Sequence, residues 1–254
     1  MTGAGHSGFS MEIKHIEKVA STNTFLKENP EAVAPMTMLV AHEQFAGRGQ
    51  RGNFWEADPG KNLTVSFRFK PAGLKPIEQF FISEAVALGI MDYLQGRGIN
   101  AKVKWPNDIY VNDDKISGIL IEHSILGTEI TDTIVGIGLN VNQKEFKSDA
   151  PNPVSMTNLK GKEYSLDFEA ESLGVCLEAR LSCTENEAGR EGLHKDYLDR
   201  LWRNDGRYHK FIDTQSGEIF LGKIMTVAPT GHLEIKRESG HTDRFAFKEV
   251  SFII

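Results

Sequence analysis

The chain is poor in the residues that build covalent or metal-centred sites. Its 254 residues include only two cysteines, Cys176 and Cys183, in a stretch of helical periodicity whose spacing suits neither a zinc site nor a redox pair. They read as two buried thiols. The histidines are scattered, with no His-Glu-x-x-His or comparable ligand spacing, so no dedicated metal site on the protein is expected. No apolar run approaches the ~20 residues that span a bilayer, and no basic segment followed by an apolar stretch opens the chain. The expectation is a cytoplasmic protein with no membrane partner. Basic residues are in the minority, 29 Lys and Arg against 35 Asp and Glu, which argues against the basic face that DNA binding needs. Low-complexity tracts and internal repeats are also missing. With 40% hydrophobic and 25% charged residues, the chain has the composition of a globular protein able to bury a sizeable core.

Against this acidic background one stretch is basic and rich in glycine. Between Gln44 and Lys70 stand Arg48, Arg51, Lys61, Arg68 and Lys70, against only Glu56 and Asp58. Gly47, Arg48, Gly49, Gln50, Arg51 and Gly52 alternate backbone without side chains with guanidinium forks, a combination that can cradle carboxylate or phosphate oxygens. The glycines also satisfy the Gly-x-Gly-x-x-Gly pattern of dinucleotide folds. That motif needs a helix directly after it, whereas Asp58-Pro59-Gly60 makes a turn into an alternating strand. The plainer alternative is a glycine-rich hairpin with solvated arginines.

Met1–Ser10 reads as a flexible leader, with Met11 as the natural start. A strand is predicted over Glu12–Val19, then Ser21-Thr22-Asn23 supplies helix-capping residues for a short helix ending near Pro30. Met38–His42 and Leu63–Lys70 read as the strands flanking the glycine loop. Apolar spacing predicts a helix over Ile77–Leu94, ending at Gly96. Short strands follow at 103–105, 109–111, 116–121 and 133–139, with Asn112-Asp113-Asp114 as a tight turn, so the core sheet is expected to be mixed or antiparallel. Phe168–Leu181 and Leu193–Trp202 read as helices, and from Gly206 the punctuation of Gly217, Pro229-Thr230-Gly231 and Ser239-Gly240 marks a small all-β unit.

Two further motifs bear on chemistry. Lys104-Trp105-Pro106-Asn107-Asp108 places a cation, an aromatic plate, a rigid bend, an amide and a carboxylate in succession, with Lys115, Ser117 and Gly118 just beyond. Alone it would be a buried Trp beside a Pro-Asn turn. Gly136-Ile137-Gly138-Leu139-Asn140-Val141-Asn142 ends a β run with open backbone space and two amides suited to a base or ribose, or is a plain strand end.

Taken together and in order, Ser21-Thr22-Asn23, Gly47–Gly52 with Trp55, Lys104–Asp108, Lys115–Gly118 and Gly136–Asn142 resemble the biotin protein ligase family. The resemblance is strong over Glu12–Asn142 and looser beyond. It implies an α+β fold: a class II aminoacyl-tRNA synthetase-like mixed sheet with covering helices over 11–205, and an SH3-like barrel over 206–254. It also implies the monofunctional kind, without the N-terminal DNA-binding domain of relatives that double as repressors. The implied substrates are ATP, Mg²⁺ and biotin, and the implied partner is a biotin carboxyl carrier domain, with a homodimer as an option. By resemblance Arg48, Lys115 and Asp108 are the catalytic candidates. Ser21, Thr22, Asn23, Gln44, Gly47, Arg48, Gly49, Gln50, Lys115 and Gly118 are the biotin candidates, and Arg48, Arg51, Trp55, Lys104, Asn107, Lys115 and Asn140 the nucleotide candidates. Gln50 departs from the pattern, because many relatives carry Arg there. The rivals are a lipoate–protein ligase, which substrate competition separates, and a non-enzymatic biotin- or nucleotide-responsive protein, which pyrophosphate release separates. A DNA-binding repressor lacks both a helix-turn-helix segment and a basic stripe.

Overall fold

The computed structural model describes residues 11–50, 53–147 and 152–253. The leader and two residues of the glycine loop, Arg51 and Gly52, lie outside them. β1 (Glu12–Val19), β2 (Thr37–Gln44), β3 (Leu63–Phe69), β4 (Lys102–Lys104), β5 (Asp108–Val111), β6 (Asp114–Leu126) and β7 (Glu129–Leu139) form one sheet in the order β1-β2-β3-β7-β6-β5-β4. β1 and β2 are parallel and the other pairings are antiparallel, so the sheet is mixed. β8 (His209–Asp213), β9 (Ile219–Val227), β10 (Leu233–Arg237), β11 (Thr242–Phe245) and β12 (Val250–Phe252) form a second, antiparallel sheet in the order β11-β10-β9-β8-β12.

The first sheet is buried on both faces, for different reasons. Val65, Phe67, Ile119, Val135 and Ile137 point to a large apolar core shared with α2 (Phe80–Gly96), α4 (Leu166–Ser182) and α5 (Glu187–Asp199). α1 (Thr22–Glu28) lies on the other face, over a small cluster of Leu26, Val33, Leu39 and Ile134. Period-two alternation puts Thr64 and Ser66 on this second face. They are 3% and 0% exposed.

Local differences from the sequence expectations have physical causes. The helix expected from Ile77 begins at Phe80, because Pro76–Glu78 forms a separate 3₁₀ turn that leaves Ile77 exposed. Trp105 falls outside β4, and its peptide to Pro106 is cis. Trp202 lies beyond α5, its indole N–H donating to the Asn112 carbonyl at 2.8 Å. The hairpin of β6 and β7 is longer than the apolar runs implied, because its outer ladder mixes polar and apolar residues, with Ile125 and Leu126 exposed. α3 (Met156–Lys160) was not expected; its signal was the capping box of Ser155 and Asn158. Cys176 and Cys183 are only partly buried, because Cys176 sits at the margin of α4's apolar face and Cys183 follows the helix end.

Polar ties hold the helical layer. The Tyr93 hydroxyl donates to Glu169 at 2.6 Å and Arg97 Nε reaches the same carboxylate at 2.7 Å, fastening α2 to α4. Glu84 on α2 is fully buried, with its carboxylate 2.7 Å from Nδ1 of His194 on α5. Burial holds the Glu84 carboxyl above the usual carboxylate range, and the bond to Glu84 raises His194 from its ordinary value of 6.5. A raised histidine stabilises the fold fully below its unfolded value and loses that contribution as pH rises through its folded value. His194→Gln is therefore expected to cost about 2 kcal/mol at pH 5.5 and clearly less at pH 8.5. Denaturant midpoints at the two pH values measure this, and an equal loss at both would show that the pair is not proton-linked.

Candidate active site

The cavity is carved where three glycines, Gly118, Gly136 and Gly138, meet on the two central strands of the sheet. Asp108, Gly118, Gly138 and Thr64 lie side by side across β5, β6, β7 and β3, and Leu120, Gly136 and Ser66 form the next row. A Cβ on Gly138 would collide with the indole of Trp55, and one on Gly136 with the amide of Asn23. The glycines of Gly136-x-Gly138 thus clear floor space that Trp55 and Asn23 occupy. The open backbone expected from this motif is real, but its amides are turned away. Asn140 is buried and donates to the Val154 carbonyl, and Asn142 binds Tyr164 and Thr157; neither lines the cavity.

One end of the cavity is lined by the uncharged side chains of Ser21, Thr22, Asn23 and Gln44 and is densely hydrogen-bonded. Ser21 caps α1 by accepting from the Thr24 N–H. Thr22 donates its backbone N–H to Gln44 Oε1 at 2.9 Å, and the Ser66 hydroxyl lies 2.6 Å from both Thr22 Oγ1 and Asn23 Oδ1. Asn23 Nδ2 in turn donates to Glu122 at 3.1 Å. Neither Ser66 nor Glu122 was among the sequence candidates. Strand alternation placed Ser66 on the face of Thr64, but only the tertiary fold brings it beneath α1.

The other end is cationic. The glycine loop closes as a narrow hairpin, with Gly49 N–H donating to Asn53 at 2.7 Å and Trp55 N–H to Gly47 at 3.1 Å. Gly47 therefore supports the loop from behind, while Gly49 and Gln50 face the cavity. Arg48 reaches across it to Thr24 Oγ1 at 3.2 Å and to Glu122 at 3.4 Å. Lys115 Nζ is 2.7 Å from Asp108 and 5.7 Å from the Trp55 ring centroid, above Gly118. Asn107 pins its turn to β6 by donating to the Ile119 carbonyl. The Trp55 Nε1 is buried without a hydrogen-bond partner among the described residues, a donor that a bound acceptor would satisfy. Lys104 does not line this cavity. Its ammonium donates to the Tyr110 hydroxyl at 2.9 Å, and burial lowers its pKa. Arg51 lies outside the described residues.

No group of three His, Cys, Asp or Glu side chains among the described residues is arranged to hold a metal ion. No helix among them is long and apolar enough to cross a membrane. The steric basis of the floor is testable without any ligand. Gly138→Ala is expected to push Trp55 out of place, changing intrinsic fluorescence and costing about 1–3 kcal/mol in a denaturant melt. An unchanged emission spectrum and midpoint would show that the ring does not rest on Gly138.

Comparison with known proteins agrees with this geometry. Residues 16–140 match the sequence model of the Biotin/lipoate A/B protein ligase family. The bifunctional ligase/repressor BirA of Bacillus spizizenii is 30% identical over 169 residues, 64% of this chain and 51% of that one. The biotin–[acetyl-CoA-carboxylase] ligase of Paracoccus denitrificans is 30% identical over 128 residues, 50% of this chain and 53% of that one. The chain thus spans about half the length of these curated relatives. The structure of the Aquifex aeolicus biotin protein ligase in complex with biotin and ATP superimposes with a TM-score of 0.77 at 25% identity, covering 94% of this chain and 97% of that one. With its glycine-floored cavity and flanking cations in place, the chain matches the Biotin/lipoate A/B protein ligase family over residues 16–140 and is similar in sequence and in fold to biotin protein ligases.

Proposed function

We propose that the chain is an ATP-dependent biotin–protein ligase. The observation that carries this reading is the two-ended polarity of one cavity. Ser21, Thr22, Asn23 and Gln44 line one end with uncharged donors and acceptors, Lys115 offers a cation at the other, and Arg48 offers a second from the glycine loop, its guanidinium reaching Thr24 and Glu122. A ureido ring needs the first, and a carboxylate meeting a phosphate needs the second. The Aquifex aeolicus relative, solved with biotin and ATP, supports the same pair of substrates. We assign residues 11–205 to a synthetase-like catalytic unit and 206–254 to an SH3-like unit.

In the first half-reaction a carboxylate oxygen of biotin attacks the α-phosphorus of ATP. The new P–O bond forms as the bond to the bridging oxygen breaks, and pyrophosphate leaves with the electron pair. Arg48 and Lys115 neutralise charge on the phosphoryl oxygens, and Mg²⁺ enters as part of the nucleotide substrate. Trp55 and Asn107 border the nucleotide. In the second half-reaction an acceptor lysine loses a proton to Asp108, and its neutral nitrogen attacks the acyl carbon. The amide C–N bond forms, the C–O bond to phosphate breaks with its electrons leaving on AMP, and one of the two protons left on the nitrogen passes to solvent while the other stays on the amide.

Biotin-dependent pyrophosphate release from Mg·ATP tests the reading, with lipoate in parallel. Release is expected with biotin and to fall by about 10²–10³ in Lys115→Ala and Arg48→Ala; release with lipoate alone would assign the chain to the lipoate branch, and none with either would overturn ligation. Asp108→Asn is expected to slow transfer to the carrier more than adenylation, and equal losses in both would remove its role as base. Gln50→Arg is expected to slow escape of the adenylate, measured by its release from the loaded enzyme. Equal rates would show that Gln50 does not govern retention.

A further inference from the structure

The orientation of the Asn23 amide decides what the uncharged end of the cavity can bind, because one end of that group accepts hydrogen bonds and the other donates them. Its two ends are held by different neighbours. Asn23 Nδ2 lies 3.1 Å from Glu122 Oε2 and 3.3 Å from the Leu120 carbonyl, both acceptors with no proton to offer. Asn23 Oδ1 lies 2.6 Å from the Ser66 hydroxyl, which stands equally close to Thr22 Oγ1. A hydroxyl has one proton. Since Asn23 Oδ1 brings none, the Ser66 proton lies on that contact, and the Thr22 hydroxyl fills the other in preference to Gln44 Oε1 at 3.2 Å. The donors therefore all point one way, from Thr22 through Ser66 to Asn23 and on to Glu122. Turning the amide over would set its oxygen against two acceptors.

We propose that Glu122 is a positioning residue that fixes this polarity, and through it selects an acid whose ring carries an N–H donor over one whose ring carries none. The proposal rests on the ligase reading above. Three observations support it. A Cβ on Gly136 would come closer to Asn23 Oδ1 than to Nδ2, so the acceptor end of the amide lies over the glycine floor of the cavity. Among the described residues Ser66 is the one donor that reaches this oxygen, and a carbonyl oxygen has two lone pairs, so a second donor can join it. Glu122 is itself aimed by charge. Its other oxygen, Oε1, faces Arg48 at 3.4 Å and Lys27 at 3.7 Å, which turns Oε2 to Asn23. The ureido ring of biotin offers N–H groups to the waiting oxygen of Asn23. The dithiolane ring of lipoate offers none, and it would cover that oxygen without giving it a partner.

The test reads a ratio of affinities. Dissociation constants are measured by calorimetry, without ATP, for biotin and for its two cyclic carbamate analogues, in each of which one ring N–H is replaced by oxygen. All three acids share the carboxylate tail, so losses at the cationic end or in the folded fraction cancel from the ratio. The wild type should prefer biotin over one of the carbamates by about tenfold to a hundredfold. Glu122→Ala, and Glu122→Val as a variant better suited to a strand, should reduce that preference to about threefold, because only the Leu120 carbonyl then holds the amide. Arg48→Ala, which leaves Glu122 Oε2 beside Asn23 and Lys27 beside Oε1, should keep the wild-type preference. Equal binding of biotin and both carbamates by the wild type would overturn the proposal, since no N–H would then be read. So would an undiminished preference in either Glu122 variant, or its loss in Arg48→Ala, which would assign the reading of the ring to the loop. Failure of the wild type to bind biotin at all would overturn the ligase reading itself, and this proposal with it.

Discussion

A β-carbon cannot be accommodated at Gly136 or Gly138 without moving Asn23 or Trp55, and the geometry of the cavity follows from that steric fact. Glycine in the middle of a central strand forfeits side-chain packing and costs backbone entropy. Here the ladder is complete on both sides, since Gly138 pairs with Thr64 and Gly118, and Gly136 with Ser66 and Leu120. The strand therefore keeps its hydrogen bonds and yields only volume. That volume admits an indole at one row and a helix-borne amide at the next, and the polar ends of the cavity are set by which of the two lies above.

From this floor a continuous polar chain runs around the cavity. Gln44 holds Thr22, Ser66 bridges Thr22 and Asn23, Asn23 binds Glu122, and Glu122 meets Arg48. Every link joins residues distant in sequence, so the chain exists only in the folded sheet. A buried network is favourable when each member is satisfied and costly when one is lost. The inner end of this network at Ser66 is buried and its outer end is exposed, where Arg48 meets Thr24 and Glu122, although more than twenty residues of sequence separate Asn23 from Arg48.

How much of this was legible in the sequence depends on whether the signal was local. β1 was read with its observed bounds because its pattern is self-contained, and the turn at Asn112 followed from residue type alone, its φ of 55° lying where Asn is tolerated. The motif residues Arg48, Asp108 and Lys115 were read as candidates and meet one cavity. Trp105 was read as a plate beside chemistry, yet its ring and N–H are spent on Gly231 and Phe247, more than a hundred residues away, which no local pattern encodes. Asn140 was misleading in the same way. Its amide looked available at a strand end, but the segment after residue 151 returns to cover it, and the amide N–H donates to the Val154 carbonyl. Ser66 and Glu122 carry no motif at all, and their partners declare themselves only across strands.

The contact of Lys115 with Asp108 has a further meaning for timing. Each side chain is the other's counter-ion, so neither is fully available while they are joined. In the proposed cycle the arriving phosphates draw the ammonium toward themselves, and the carboxylate is left to find another cation just as the activated acyl group is formed. The pair then works as an interlock, in which the first half-reaction releases the group required by the second.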